Sequence, residues 1–481
     1  MSNPIDLLRD QAIKNPDNPA IFYLGNAFTY SHLLNLVQTI ANKLREDGIR
    51  PGNLIAVEIS NMVMHWATTL ALFHEGAISC SIQSGLSVPQ GVAFDFVIRD
   101  SKDKPNQGGA RCILVDQRWL DEAYQAKPNI QPHSRQSEDQ VCRLILSSGT
   151  TGEPKIIPLT FAQLTQRCIN RNIVDPQSGP ELTLFDCCSS IGFYVGIKTL
   201  MTGLPLVLGF SYEQLCREFE LFGITNLNGS PAQLDQLCAQ AEKTLPITST
   251  LRSITTSGSA ITPKLIERLS ATLTANITSI YGATEVGPVA KCLAIDIVAN
   301  PGFSGYILPD VKVEIVDEKH APLEKNRIGL VRIKTSHMAT NYLGEPLSPD
   351  GAFINGWFYP GDLGYLREDH GLVISGRVSD LLNIGGLKIN PNVIDAFLNS
   401  IEGIKDALTF EYEDQNGVNR IGSAITIEDD FNAGELPSLI AANLALTYQP
   451  TQVVIVNEIA RNQAGKPLRE KMRQIALHQA N

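Results

Sequence analysis

The densest group of chemically capable side chains lies between Ser147 and Lys155, where two glycines, four hydroxyls and a lysine fall within nine residues. Glycine lets backbone N–H groups turn sharply and approach a ligand, and Ser and Thr add hydroxyl donors. Ser147, Ser148, Gly149, Thr150, Thr151 and Gly152 therefore read as an anion-binding nest. Lys155 adds a point charge suited to a polyphosphate. The loop is not a Walker A motif, because Glu153 and Pro154 separate the second glycine from the lysine. Taken alone, such a loop is as readily a surface turn.

The nest needs a rigid base, and the apolar run Leu144-Ile145-Leu146 just before it reads as a buried strand, like Leu54 to Ile59 and Cys112 to Val115. Between such runs lie segments of helical period, as in Tyr30 to Leu44 with Leu33, Leu34, Val37, Ile40 and Ala41 on one face. Ser230-Pro231-Ala232-Gln233 offers an N-cap, a first-turn proline and a capping box, and Thr262-Pro263 repeats the cap and proline. Strand and helix alternating in this way predict an α/β fold with largely parallel sheets. The stretches Ser101 to Gly109 and Ala126 to Gln140 read as surface loops. After residue 300, strict alternation at Val311 to Ile315 and Leu330 to Lys334 predicts half-exposed antiparallel strands. From about Leu381 a separate α+β unit begins, with a helix near Pro391 to Leu398 and strands at Ala407 to Tyr412, Ala424 to Ile427 and Val453 to Val456.

Composition bounds the function. The 481 residues allow two to four domains, at roughly 150 residues each. At 43% hydrophobic and 19% charged, the chain can build a sizeable core. A formal charge of −11 disfavours nucleic acid as a partner, since counterion release needs the opposite balance. No run approaches ~20 apolar residues, and the first residues lack a signal pattern, so no membrane insertion and a cytoplasmic location are expected. The nine cysteines show no C-x-x-C spacing, and Cys187-Cys188 has no histidine nearby in sequence. They read as small buried hydrophobes.

Five ordered motifs carry a family resemblance. Ser148 to Lys155 resembles S-G-T-T-G-x-P-K, and Tyr281 to Glu285 resembles Y-G-x-T-E. Gly356 to Asp362 resembles G-W-x-x-T-G-D. Gly376 to Asp380 with Gly385-Gly386 resembles G-R-x-x-D and its glycine pair, and Gly465 to Arg469 resembles G-K-x-x-R. Together they are similar to the adenylate-forming superfamily: acyl- and aryl-CoA ligases, luciferases and adenylation domains. The resemblance implies a large N-terminal domain, 1–379, of stacked α/β subdomains with a small β-barrel-like subdomain. It also implies a small mobile α+β domain, 380–481, carrying the catalytic lysine.

The implied reaction is attack of a carboxylate on the α-phosphate of ATP, giving an acyl-adenylate and pyrophosphate, then transfer to a thiol. Charge accumulates on phosphorus, so such a site needs donors and cations more than a nucleophile. By resemblance, the nest and Lys155 hold the β- and γ-phosphates, Thr284 touches the α-phosphate and Glu285 binds Mg2+. Gly258, Ser259 and Ala260 line the adenine, Tyr281 and Gly282 flank it, Asp362 takes the ribose hydroxyls and Arg377 lies near ribose and phosphates. Lys466 is the implied catalytic cation, bridging carboxylate and α-phosphate. Asp380 is the implied hinge.

Some positions depart from the pattern. Pro360 replaces the threonine of T-G-D, and Asn392 and Asp395 stand where P-x-E-I-E is usual, so that one acidic position becomes an amide. The acid pocket is assigned to Ser190, Phe193, Tyr194, Asn228 and Gly229, with Phe193 in place of a common histidine. A small or flat acid, aryl or polar acyl, fits this set better than a long fatty acid. The acceptor is CoA or the phosphopantetheine of a carrier protein, with Lys388, Lys405 and Arg420 as candidate contacts. Two alternatives stand beside this reading: an amino-acid-activating enzyme that uses Asp186 for the substrate ammonium, and a catalytically idle binding homologue. The lone histidines His32, His65 and His74 receive no catalytic role, because an ionised carboxylate needs no general base.

Overall fold

Apolar runs bounded by turn residues become parallel strands in two sheets, as their lack of alternation predicts. The computed structural model describes residues 3–83, 92–101, 109–125, 137–147, 155–169, 179–209, 211–243, 250–300, 302–344, 351–384, 387–415, 418–429, 431–461 and 467–480. The first sheet runs Arg111–Leu114, Phe96–Arg99, Leu54–Glu58, Ile78–Ser81, Val141–Ser147, Lys155–Thr160. All pairs are parallel except the last, where Lys155–Thr160 turns back on Val141–Ser147 and sets Lys155 opposite Ser147.

The second sheet has a parallel half made of Pro19–Tyr23, Leu206–Leu208, Glu181–Thr183, Asn226–Gly229, Ser253–Thr256 and Ile277–Ala283. It then continues antiparallel through Gly287–Leu293, Phe303–Ile307, Gly371–Arg377, Asp362–Leu366 and Gly329–Thr335. The expected barrel-like piece takes the form of this continuation, and no closed barrel is formed among the described residues. One apolar core joins side chains of both sheets, such as Ile55, Val57, Ile21 and Leu206, to the helices Tyr30–Glu46 and Met62–Glu75. Burying each large apolar side chain contributes ~1.5–3 kcal/mol before conformational entropy is subtracted.

The local signals are realised in atomic detail. Ser230 Oγ accepts from Gln233 N at 3.3 Å while Gln233 Oε1 accepts from Ser230 N at 2.9 Å, closing the capping box. Thr262 Oγ1 accepts from Leu265 N and starts the helix Pro263–Thr272. The two expected surface loops fall mostly at 102–108 and 126–136, outside the described residues.

Past the short turn Val378–Asp380 the cores separate. The hairpin Leu382–Ile384/Leu387–Ile389, helix Pro391–Asn399, strands Ile404–Glu413, Asn419–Ile427 and Gln452–Ile455, and helix Arg469–Ala480 build two apolar clusters of their own. Neither cluster includes a residue before Leu382. No described helix is long and apolar enough to cross a membrane.

Candidate active site

Three neighbouring parallel strands, Asn226–Gly229, Ser253–Thr256 and Ile277–Ala283, deliver Gly229, the Gly258-Ser259-Ala260 turn and Tyr281 to one edge of the sheet. Open α/β sheets bind ligands at the carboxyl ends of their strands. Gly258 has a φ of +92°, which the turn requires, and a Cβ there would face Phe185 and Ile191 at 3.8 and 3.9 Å. At Gly282 a Cβ would stand 2.5 Å from Gly287 O. Only glycine lets the two strands close around the Thr284–Glu285 turn.

The residues expected at adenine and ribose form a three-residue cluster. Tyr281 Oη donates to Asp362 Oδ2 at 2.5 Å, and Arg377 Nε lies 2.9 Å from Asp362 Oδ1. Asp362 and Arg377 are direct partners on adjacent strands, and the carboxylate is 4% exposed. Burial first, and the Asp362 charge next, hold the Tyr281 phenol well above its usual range. The hydroxyl therefore stays a donor.

Lys155 and Glu285, expected at the phosphates, are joined through a residue that motif reading did not single out. Lys155 Nζ sits 4.4 Å above the Tyr342 ring, and Tyr342 Oη donates to Glu285 Oε1 at 2.8 Å. One phenol thus links the nest lysine to the buried glutamate. A second omission is Arg167, 4% exposed on helix Phe161–Ile169. Its guanidinium donates to Thr284 O at 2.9 Å, Glu285 O at 2.6 Å, His337 O at 3.0 Å and Tyr194 Oη at 2.5 Å. The sequence carries one signal for it: an arginine inside the buried stripe of Phe161, Leu164 and Cys168.

On the acid side, Ser189 caps helix Ser190–Thr202 by accepting from Gly192 N at 3.1 Å. Ser190 and Tyr194 are half-buried on it, and Arg167 fixes the Tyr194 hydroxyl. Phe193 points into the core, 1% exposed, stacked on Trp66 at 5.6 Å with the Arg143 guanidinium 3.8 Å from its ring centre. Asn228 turns its amide to Glu181 Oε1 at 2.9 Å, within a buried network completed by Lys198 and Thr199. Asp186 is exposed and accepts from Cys188 N at 2.7 Å.

With this geometry in place, comparison with known proteins identifies the family. The AMP-binding enzyme family matches residues 8–343, well over half the chain. The chain belongs to the AMP-binding enzymes of the adenylate-forming superfamily. The fatty acid–[acyl-carrier-protein] ligase ScoC of Streptomyces coeruleorubidus is 23% identical over 500 residues, covering 95% of this chain and 93% of the relative. A 4-chlorobenzoate–CoA ligase of an Arthrobacter species is 24% identical over 478 residues, covering 94% and 90%. Among solved structures, the o-succinylbenzoate CoA synthetase of Bacillus subtilis, in complex with its acyl-adenylate intermediate, matches the fold with a TM-score of 0.83. It is 21% identical and covers 98% of this chain and 99% of its own.

In this AMP-binding enzyme the remaining motif positions divide in two. Residues 148–154, with Ser148, Gly149, Thr150, Thr151 and Gly152, lie outside the described residues, as do Gly385, Gly386 and Lys466. Described are their anchors. Arg469, of the last motif, donates to Asn392 Oδ1 at 2.6 Å, Asp395 Oδ2 at 2.8 Å and Thr409 O at 2.5 Å. Asn392, the amide that departs from the pattern, and Asp395 beside it are therefore the residues of the helix Pro391–Asn399 that grip the arginine following Lys466. Asp380 closes the turn Val378–Asp380, where Val378 N donates to Gly361 O at 2.9 Å.

Proposed function

We propose that this enzyme, within the AMP-forming acid–thiol ligase chemistry of its family, activates an aryl or small polar acid with ATP. The acyl group then passes from the adenylate to the thiol of CoA or of a carrier protein's phosphopantetheine. The observation that carries the reading is the continuity of the two ends of the site. Tyr281–Asp362–Arg377 and Lys155–Tyr342–Glu285 meet at the single turn Thr284–Glu285, which Arg167 clamps.

In that reading, Asp362 accepts from the ribose hydroxyls and Tyr281 lies against the adenine. Lys155 and the nest hold the outer phosphates, and Thr284 stands at the α-phosphorus. A hard cation such as Mg2+ suits Glu285, whose Oε1 takes the Tyr342 hydrogen bond and leaves Oε2 for the ion. When bound, the ion neutralises the departing pyrophosphate charge. The carboxylate oxygen attacks the α-phosphorus, the bond to pyrophosphate breaks, and Lys466 supplies the cation at the developing charge. Removal of Lys466 by rotation about Asp380 then opens the adenylate to the thiol.

The acid pocket favours an uncharged distal group. Asp186, needed for a substrate ammonium, is exposed and bonded to its own backbone turn, which argues against the amino-acid reading. Lys155, Glu285, Asp362 and Arg377 standing together argue against an idle homologue. For the acceptor, Arg420 lines a groove with Leu387 and Leu446 on the small domain. Acid-dependent exchange of pyrophosphate into ATP over a panel of aryl, short acyl and amino acids tests the reading. Thioester formation with CoA or a carrier protein then decides the acceptor.

A further inference from the structure

A cation without a carboxylate lies behind the acid-side helix. Arg143, in the middle of strand Val141–Ser147, is 1% exposed. Its guanidinium reaches Ser79 Oγ at 3.2 Å, Ser81 Oγ at 2.8 Å and the Phe193 ring, while Nε has no hydrogen-bond partner and no carboxylate pairs with it among the described residues. Arginine does not give up its proton in proteins. A buried charge left uncompensated is strongly unfavourable, so a neighbour must supply the negative charge.

The groups beside it are thiols: Cys80, Cys187, Cys188 and Cys142 all act on Arg143. Burial pushes Cys80 up to about 12 and Cys142 higher still. Cys187 goes the other way. A hydrogen bond from Cys188 foremost, with His65 behind it, outweighs burial and holds the Cys187 thiol down at about 5, while Asp186 opposes. His65 comes from the separate helix Met62–Glu75 and is fixed at both nitrogens, Nδ1 by Ile59 O at 3.2 Å and Nε2 by Ser81 Oγ at 2.7 Å. Burial lowers the His65 pKa most, but the Cys187 charge, the Cys187 hydrogen bond and the Ile59 carbonyl together outweigh it, so the net direction is upward. Packing thus supplies the histidine that local spacing lacks.

The ligand atoms of His65, Cys187 and Cys188 lie within 4.8 Å of one another, a spacing a metal ion could use. Two observations disfavour a cation: both imidazole nitrogens are already bonded, and Arg143 stands alongside. We propose that Cys187 is a standing thiolate that balances Arg143 and is the residue of this chain that peroxide attacks, with Cys188 as the resolving thiol. Cys188 is only partly buried and gives the pair its opening to solvent.

The chemistry balances with hydrogen peroxide as oxidant. The Cys187 sulfur attacks one peroxide oxygen, the O–O bond breaks, and the departing hydroxide takes a proton to become water. The Cys188 sulfur then displaces the sulfenic hydroxyl as a second water and forms the S–S bond. Two thiols lose two electrons, and one peroxide becomes two waters.

The test is peptide mapping of the purified protein after brief iodoacetamide labelling at several pH values. Cys187 is expected to label at a rate that is flat between about pH 6 and 8, whereas free N-acetylcysteine, run as the control, rises about tenfold per unit. Peroxide should remove two hydrogens from the Cys187–Cys188 peptide, reversibly with dithiothreitol. In Cys188→Ser, dimedone should trap a sulfenic acid at Cys187. A Cys187 rate that rises like that of the control thiol, no labelling of Cys187 at all, or one zinc ion held by the cluster as purified would overturn the proposal. These readouts need no substrate, so they stand or fall apart from the ligase reading.

Discussion

Asp362 carries the most at the residue scale, because two donors converge on one buried carboxylate. Replacing it with alanine removes the acceptor proposed for the ribose and strands Arg377. Hydrogen bonds to charged groups contribute ~1.5–3 kcal/mol, so Asp362→Ala is expected to raise the KM for ATP by about 10- to 100-fold. The KM for the acid should stay within a few-fold, and initial-rate kinetics separates the two. Arg167 makes a different prediction. It touches no implied substrate atom; it positions the Thr284–Glu285 turn through two carbonyls and the acid-side wall through Tyr194. Arg167→Met should lower kcat at least tenfold and raise the Mg2+ concentration needed for half-maximal rate. Arg167→Lys should recover part of both. An unchanged Mg2+ requirement with a lowered melting temperature would reduce Arg167 to a structural role.

At the scale of elements, what was legible in the sequence and what was not have separate physical causes. The Ser230 and Thr262 caps and the strands around residues 54 and 144 each depend on contiguous residues, and each is found where expected. Tyr281, Asp362 and Arg377 come from three motifs that the sheet register then brings together. Tyr342, Arg167, Arg143 and the His65–Cys187 contact depend on which face of one element meets another far along the chain, and no local pattern records that. Phe193 shows the limit from the other side: its place in the motif order suggested a pocket wall, and packing between Trp66 and Arg143 makes it core. The helix Pro391–Asn399 matters for the same reason. It holds Arg469, and through it the start of the last helix, at one end of the segment bearing Lys466. Lys466→Ala is expected to leave the melting temperature unchanged and to abolish most acid-dependent exchange. Arg469→Ala should lower both activity and stability, the latter by about 1–3 kcal/mol, since it unpairs partly buried Asp395. Thermal melts read beside exchange rates distinguish the two variants.

The whole molecule is a large α/β body followed, after Val378–Asp380, by a smaller unit with its own apolar clusters. Between them the described polar contacts are few. Asn390 Nδ2 donates to Ser375 O at 2.6 Å, and an exposed pair joins Lys264 to Glu428 at 2.8 Å. Exposed pairs contribute ~0–1 kcal/mol, so reorienting the small unit costs little there. A turn that absorbs such a rotation needs backbone freedom. Asp380→Pro is expected to retain acid-dependent exchange while losing thioester formation, a split that a coupled assay with each acceptor reads directly. The formal charge of −11 has no bearing on this, because Lys155 and Arg377 each engage a local partner, the Tyr342 ring and Asp362.

The central claim, that this chain forms acyl-adenylates, is tested most directly by exchange of labelled pyrophosphate into ATP with wild-type protein and Mg2+. The account predicts exchange that requires an added aryl or small polar acid and disappears in Lys466→Ala. A folded wild-type protein that binds ATP yet shows no exchange with any acid of the panel would contradict it.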